Sequence, residues 1–402
     1  MTHCKWNSAT TCGRLTSFLL SALLAGCGGG GDGGGSGTLG VSLTDSPACG
    51  FDEVNVTVSK VRVHQSGGAS ENAGGWSEIT LSPARKINLL DLTNGVLESL
   101  GETVLPAGRY TQVRLVLVAN NGSSAASNSI VLTSGTPAGE IALITPSAVH
   151  SGIKLVHEFD VAAGQRVDLV LDFDACKSVV ALGNGDYLLK PVIKVIPTQL
   201  NGINGFVDTS LPAGNVIVSA QLNGTVVRST VPVASTGSFF LARLAPGNYD
   251  VVLAADSLAT AVIGAVPVAS RTSVVMVSTN ATPISLPAST TRNISGNATL
   301  TPASATGEVI FVAAKQTFGS GPTVTVKSQA ADLLSGDYTL ALPVAAPLLG
   351  HYGAGTLPIA LEEQSALAGQ YTVEASASGY QTQSFSQEIS TADATRDFAL
   401  VP

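Results

Sequence analysis

The body of this chain repeats with a period of two. In Val54-Asn55-Val56-Thr57-Val58 the valines share one face, and the phase slips at Ser59-Lys60 before Val61-Arg62-Val63 resumes it. A period of two marks a strand with one buried face, and a one-residue slip is what a β-bulge inserts. Leu169, Leu171 and Phe173 alternate with Val170, Asp172 and Asp174, and the same rhythm runs through Val216, Val218, Ala220 and through Tyr249, Val251, Leu253. Valine and threonine abound, and turn residues recur at the intervals of all-β sandwiches. Only Ile87 to Leu100 offers a short helix or turn, and no strand–helix alternation points to a parallel sheet.

Composition narrows the partners. Charged residues are 12% of 402, against about 25% in an average soluble domain. A hydrophobic share of 45% is too high for a disordered chain. The net charge of −8 argues against nucleic acid or an anionic lipid surface as a partner.

A short motif recurs: a turn with glycine, one variable residue, then a tyrosine opening an alternating strand. Its copies centre on Gly108 and Tyr110, Gly247 and Tyr249, Gly336 and Tyr338, and Gly369 and Tyr371. Glycine is expected to supply a positive-φ turn position, and the ring to cover the core while its hydroxyl reaches water or backbone. Four of the seven tyrosines sit here, so the expected role is structural.

The N-terminus reads as a targeting segment. Lys5 and Arg14 precede an apolar stretch from Leu15 to Leu24, too short for a permanent span of about 20 residues and of secretory-signal length. It ends in Leu24-Ala25-Gly26-Cys27, which resembles the bacterial lipoprotein box. That likeness implies cleavage before Cys27 (residues 1–26 removed), acylation of the Cys27 thiol, and a membrane partner through lipid alone. Gly28 in place of aspartate after the cysteine implies transport to the outer membrane, facing the periplasm or the cell surface. The glycine run to Gly37 is expected to stay unordered as a flexible tether, residues 27–37.

Once Cys4 and Cys12 leave with the signal, Cys49 and Cys176 remain. An even pair in an exported chain is most simply one disulfide. Its long loop is worth roughly 4–5 kcal/mol in the chain-entropy model, and it marks 38–197 as one domain. Composition sets a second region at 201–282 and, after the proline-spaced stretch Thr282 to Thr290, a third at 291–402.

Two resemblances follow. Residues 38–197 resemble a bacterial lipoprotein domain of unknown function, DUF4382, in Leu43-Thr44-Asp45-Ser46-Pro47, in Val54 to Val63, in Leu105 to Tyr110 and in Gly185 to Val195. The likeness implies an exported β-rich domain and no reaction. Gly237 to Val251 looks like a carboxypeptidase regulatory-like module, which implies a transthyretin-like sandwich without catalytic residues. This copy has Asp256-Ser257-Leu258 where such modules carry Gly-Tyr. The third region keeps that element as Gly379-Tyr380 and matches less well. The expected fold is all-β: tandem sandwiches of transthyretin or immunoglobulin-like type.

Catalytic signals are sparse. His157-Glu158 begins like a zinc-protease helix, but Val161 stands where the second histidine belongs and the surroundings are strand-like. His64 and His351 complete the mature set; His150 and His157 could meet across a hairpin, and ordinary surface histidines are the better reading. Asp172 and Asp174 point to one side of a strand and, with Asp45, Asp52 or Glu53, are the candidates for a calcium site. A solvated strand face is the better reading of them. No nucleophile elbow or phosphate loop occurs, and no cofactor is implied. Trp76 and Tyr352 lie in loops and could stack on a sugar.

Three functions stay in view. The first is a non-catalytic, lipid-anchored envelope protein presenting β-sandwiches for binding, adhesion or structure, its partner a glycan or an envelope protein. The second is carbohydrate binding, by fold analogy. The third is a hydrolase or metal enzyme in the first domain, which requires three or more of Asp45, Asp52, His64, His150, His157, Asp172 and Asp174 to converge.

Overall fold

The structure, a computed structural model, describes residues 35–46, 50–122, 125–133, 139–146, 151–211, 216–305, 307–319 and 321–402. Cys27 and its leader, Cys49 and His150 lie outside the described residues. The described chain from Gly35 to Pro402 forms one compact unit, almost wholly of strands. No described helix is long and apolar enough to cross a membrane.

The first body packs a four-stranded sheet on an eight-stranded one. In the smaller sheet the opening strand Ser36–Ser46 runs parallel to Arg166–Asp174 and antiparallel to Glu98–Pro106, and Ile193–Ile196 forms the far edge. The larger sheet centres on Phe51–His64, flanked by Ser77–Asn88, Gly108–Leu117 and Ser129–Leu132. Val54, Val56 and Val58 are buried, and so are Val61 and Val63 one phase later. The register slips between Val58 and Lys60 against both neighbours, the bulge that the sequence phase implies. Ser36 and Gly37, expected to be unordered, belong instead to the opening strand. Ser36 and Gly37 pair with Pro106 and Leu105, and a Cβ on Gly37 would lie 2.6 Å from the Ala162 carbonyl oxygen.

The second body sets a three-stranded sheet around Gly202–Phe206 against a six-stranded one. Val218, Ala220, Val251 and Leu253 from the larger sheet face Ile203, Phe239 and Leu241 from the smaller. Two departures from the sequence reading occur here. The proline-spaced stretch is woven into the body: Ile284 bridges Val207, and Ile284 and Leu286 are buried in its core. The third region also lends strands. Leu348–His351 pairs in parallel with Leu258–Val268, and Glu362–Glu363 pairs beyond it.

The third body packs Asp337–Pro343, Thr291–Leu300 and the C-terminal strand Phe398–Leu400 over the sheet of Thr323–Ala330, Phe311–Thr317, Gln370–Ser376 and Gln383–Glu388. Its core includes Ile294, Leu340, Val312 and Val373.

The turn tyrosines are buried in all three bodies. The hydroxyls of Tyr110 and Tyr249 donate back four residues, to the Pro106 and Ala245 carbonyls at 3.1 and 2.7 Å. Tyr371 donates to Pro343 O at 2.7 Å, and Tyr338 to Arg396 O. The first two bonds fix a strand entry to the loop just before it, as in a tyrosine corner, whereas the other two tie it to segments remote in sequence. Burial raises the Tyr338 hydroxyl to about 12, with the Asp397 charge adding to the rise. The glycines divide: Gly336 and Gly369 hold φ of +78° and +63°, Gly108 sits at +150°, and Gly247 has no positive φ. A left-handed turn is therefore not the common requirement of the motif.

Tyr249→Phe is expected to cost about 1 kcal/mol by stranding the Ala245 carbonyl, and Tyr249→Ala about 3–5 kcal/mol by adding a cavity. Urea unfolding of both variants checks the order. An unchanged Tyr249→Phe would show that the hydroxyl contributes nothing, and a Phe variant as destabilised as the Ala variant would show that the ring does not.

Candidate functional site

The three bodies do not hang as separate beads. The junctions of the second body with the first and with the third are closed by polar side chains that hydrogen-bond across them. The first meets the second through the turn after the helical segment Leu89–Leu92. Thr44 on the opening strand donates its hydroxyl to Leu92 O and Val96 O at 3.0 and 2.8 Å, pinning that turn. Asn94, in a left-handed conformation (φ +55°), then reaches into the second body. Its backbone N–H donates to Thr230 Oγ1 (3.0 Å) and its amide nitrogen to Val231 O (2.8 Å). Its amide oxygen accepts from Thr230 Oγ1 (2.9 Å) and Phe240 N (3.0 Å). Gly95 follows at φ +80°. A Cβ there would stand 2.9 Å from Ala242 Cβ, and its carbonyl accepts from Arg243 Nη1 at 2.9 Å. Only a glycine admits this approach.

Beside this turn lies a buried ion pair, Asp172 with Arg228, both almost fully withdrawn from water. Burial pushes the Asp172 carboxyl above its ordinary range. The Arg228 charge and hydrogen bond pull it back only in part, Asp174 adds a further upward push, and the Lys194 charge a smaller downward one. Asp45 accepts a hydrogen bond from Ala175 N at 3.0 Å, so the Leu43–Ser46 stretch fixes both the Asn94 turn and the helical turn Ala175–Ser178.

The second and third bodies meet through Gln221, whose amide oxygen accepts from Thr325 N (2.8 Å) and whose amide nitrogen donates to Thr325 O (2.7 Å). Thr325 Oγ1 donates to Gly224 O at 2.6 Å, and Val252 and Val262 pack on Phe318 and Val324. The first and third touch where Leu333 N donates to Ala181 O at 3.1 Å.

A cleft of about 440 Å³ opens where all three meet. Its floor is the outer face of the second body's larger sheet, at Ile217, Val227 and Ala254. Phe51, Phe311 and Leu342 form apolar walls. Asp172, Asp174, Lys177, Lys194, Asp256 and Lys327 supply the charge. Four of the lining strands, Ile193–Ile196, Thr225–Thr230, Thr323–Ala330 and Asp337–Pro343, are the terminal strands of four different sheets.

This geometry redistributes the residues singled out from sequence. Asp172 and Asp174 do enter the candidate site, but against cations: Asp172 against Arg228, and Asp174 against Lys177 at 2.6 Å while also capping the helical turn. Asp52 and Glu53 belong to the Phe51–His64 strand, and Glu53 accepts from Asn55 at 2.8 Å. Among the described residues no group of three or more His, Cys, Asp or Glu is placed to hold a metal ion. His64 is engaged with its own hairpin, accepting from Ser66 N at 2.8 Å and meeting Gly74 O at 2.9 Å. His157 and Glu158 lie on a strand, Ile153–Val161, and burial lowers the His157 pKa. Trp76 is no free platform for a sugar. Arg62 and Arg114 stand over its ring at 4.5 and 5.0 Å, and its indole N–H donates to Ser70 O. Tyr352 packs against the second core. The residues that build the site, Asn94, Arg228, Gln221 and Thr325, carry no motif. Arg228 is the one with a signal, a lone cation within the alternating run Thr225–Thr230.

Residues 36–191 match the family described as "Domain of unknown function (DUF4382)". No curated protein matches the chain. Solved structures similar to it include the Bacillus anthracis TIE protein, with 11% identity over 92% of this chain and 50% of that one and a TM-score of 0.17. This chain thus spans about half the length of that protein. A streptococcal ancillary pilin shares 10% identity over 91% and 99% of the two chains, with a TM-score of 0.17. The Corynebacterium diphtheriae major pilin SpaA shares 12% over 91% and 100%, with a TM-score of 0.19.

Arg228→Met leaves the Asp172 carboxylate buried without its counter-charge and is expected to cost about 3–5 kcal/mol at neutral pH. Without that counter-charge the carboxyl pKa rises further, so the folded state holds the proton more tightly than the unfolded chain. The loss should therefore shrink as pH falls and Asp172 protonates. The double variant Asp172→Leu/Arg228→Met is expected to recover most of the stability. Denaturant titrations at two pH values check this. A pH-independent loss, unrecovered in the double variant, would mean that the charge pair is not the source.

Proposed function

We propose that this is a non-catalytic, lipid-anchored envelope protein that presents three latched β-sandwiches as one rigid body for binding, adhesion or structural support at the outer membrane. The observation that carries this reading is the interlocking of the bodies. Buried polar side chains where the second body meets the first and the third hold the display surface in register, and the strand that begins it at Ser36 follows the glycine run directly. Cys27 supplies the acylated residue and the glycines up to Gly35 the spacer. The second body serves as a carboxypeptidase regulatory-like module, a scaffold without reactive groups. Presentation of this kind asks for rigidity and exposed edges and loops, and not for a convergent acid–base set.

Cys49 and Cys176 form a disulfide in this reading. The register supports it, because Ser46 stands opposite Asp174 and leaves each cysteine two or three residues beyond the last rung of the same strand pair.

Two measurements test the proposal. Wild-type protein should incorporate labelled palmitate and partition into detergent, whereas Cys27→Ser should do neither. Equal partitioning of both forms would remove the anchor. A thiol assay on the denatured, unreduced mature protein should find neither Cys49 nor Cys176 reactive. Two reactive thiols would remove the bridge.

A further inference from the structure

The geometry points to the three-body cleft as a binding site for an amphiphilic monoanion, an alkyl carboxylate with one negative charge on an apolar tail. This goes beyond the anchored display role and stands whether or not Cys27 carries lipid. Volume comes first: about 440 Å³ lies within the range of small-molecule sites, roughly 300–1,000 Å³. The apolar part is continuous, with Ile217, Val227 and Ala254 as floor and Phe311 and Leu342 beside them.

The charge count then selects the head group. Asp172 is matched by Arg228, Asp174 by Lys177 and Asp256 by Lys327, the last two pairs at 2.6 Å. Among the described residues Lys194 is the lining cation without an ion pair. It stands on the edge strand Ile193–Ile196, opposite Asp172 in register. The lining holds three aspartates and three lysines; because Arg228 neutralises Asp172 from outside the lining, Lys194 is left as the unmatched positive charge beside an apolar floor, although it also attracts Asp172. A neutral tail alone would leave that charge unused, a cationic head would be repelled, and a polyanion would bring more charge than Lys194 can match. A single carboxylate at Lys194, with its tail along Ile217 and Val227, satisfies both parts.

The test is displacement of anilinonaphthalene sulfonate from the purified full chain by dodecanoate and by dodecyltrimethylammonium, each below its micelle concentration. Dodecanoate is expected to compete in a saturable, one-to-one manner and the cation weakly. Lys194→Met should weaken dodecanoate about two- to fivefold, the worth of one solvent-accessible charge pair. Lys194→Glu should reverse the preference between the two amphiphiles. Val227→Asp, with an unchanged melting curve, should abolish competition. Because every variant keeps the same N-terminus, these differences report the cleft and not the leader or the anchor. Absence of saturable competition, or competition that survives Val227→Asp, would overturn the site. An unchanged preference in Lys194→Glu would overturn the assignment of the head group.

Discussion

The edge of a β-sheet carries a row of backbone donors and acceptors that must meet water or a partner. Everything distinctive about this molecule follows from where it puts those edges. Four sheets bring a terminal strand to one place, and the three bodies shield one another there. Packing apolar faces alone would not fix such an arrangement, since hydrophobic contact is indifferent to small sliding. Directional groups supply the register: the Asn94 amide, the Gln221 amide and the Asp172–Arg228 pair each have essentially one docking geometry. A half-satisfied buried network costs more than an apolar one, so these contacts penalise every alternative placement of the bodies.

The same logic explains why Asp172 and Asp174 face a cleft and yet join no cluster suited to a metal among the described residues. The outer face of the Arg166–Asp174 strand is buried twice over, by its own sheet and by the second body. Val170 and Asp172 are therefore as withdrawn from water as Leu169 and Leu171. A carboxylate in that position needs a counter-charge, and Arg228 provides it from the facing edge strand. What remains open is the cleft floor and the charge of Lys194.

The sequence made the local architecture legible. Alternating valines gave the strands, the slip at Ser59-Lys60 gave the bulge, and the tyrosine turns gave recurring strand entries whose rings are buried. It was silent on everything set by contacts between bodies. Asn94-Gly95 reads as an ordinary turn, because nothing local distinguishes an asparagine facing water from one facing another domain. Asp172 and Asp174 stood out as a pair, which located the right surface. Their partners are cations rather than a metal, and Arg228 is remote in sequence. The stretch Thr282 to Thr290 looked like a linker because proline spacing is the same in a free segment and in one laced along a sheet. Only the alternate positions Ile284 and Leu286 hinted at burial. The loan of Leu348–His351 to the second body's sheet is a tertiary choice that no local pattern encodes.

Cooperative unfolding measures directly whether the three bodies behave as one unit. Calorimetry on the full chain should show a single transition in which the calorimetric and van't Hoff enthalpies agree, and Asn94→Ala should split it by freeing the first body from the second. Independent transitions in the unaltered chain, untouched by that substitution, would mean that the bodies are separate beads and that the cleft between them is not a built feature.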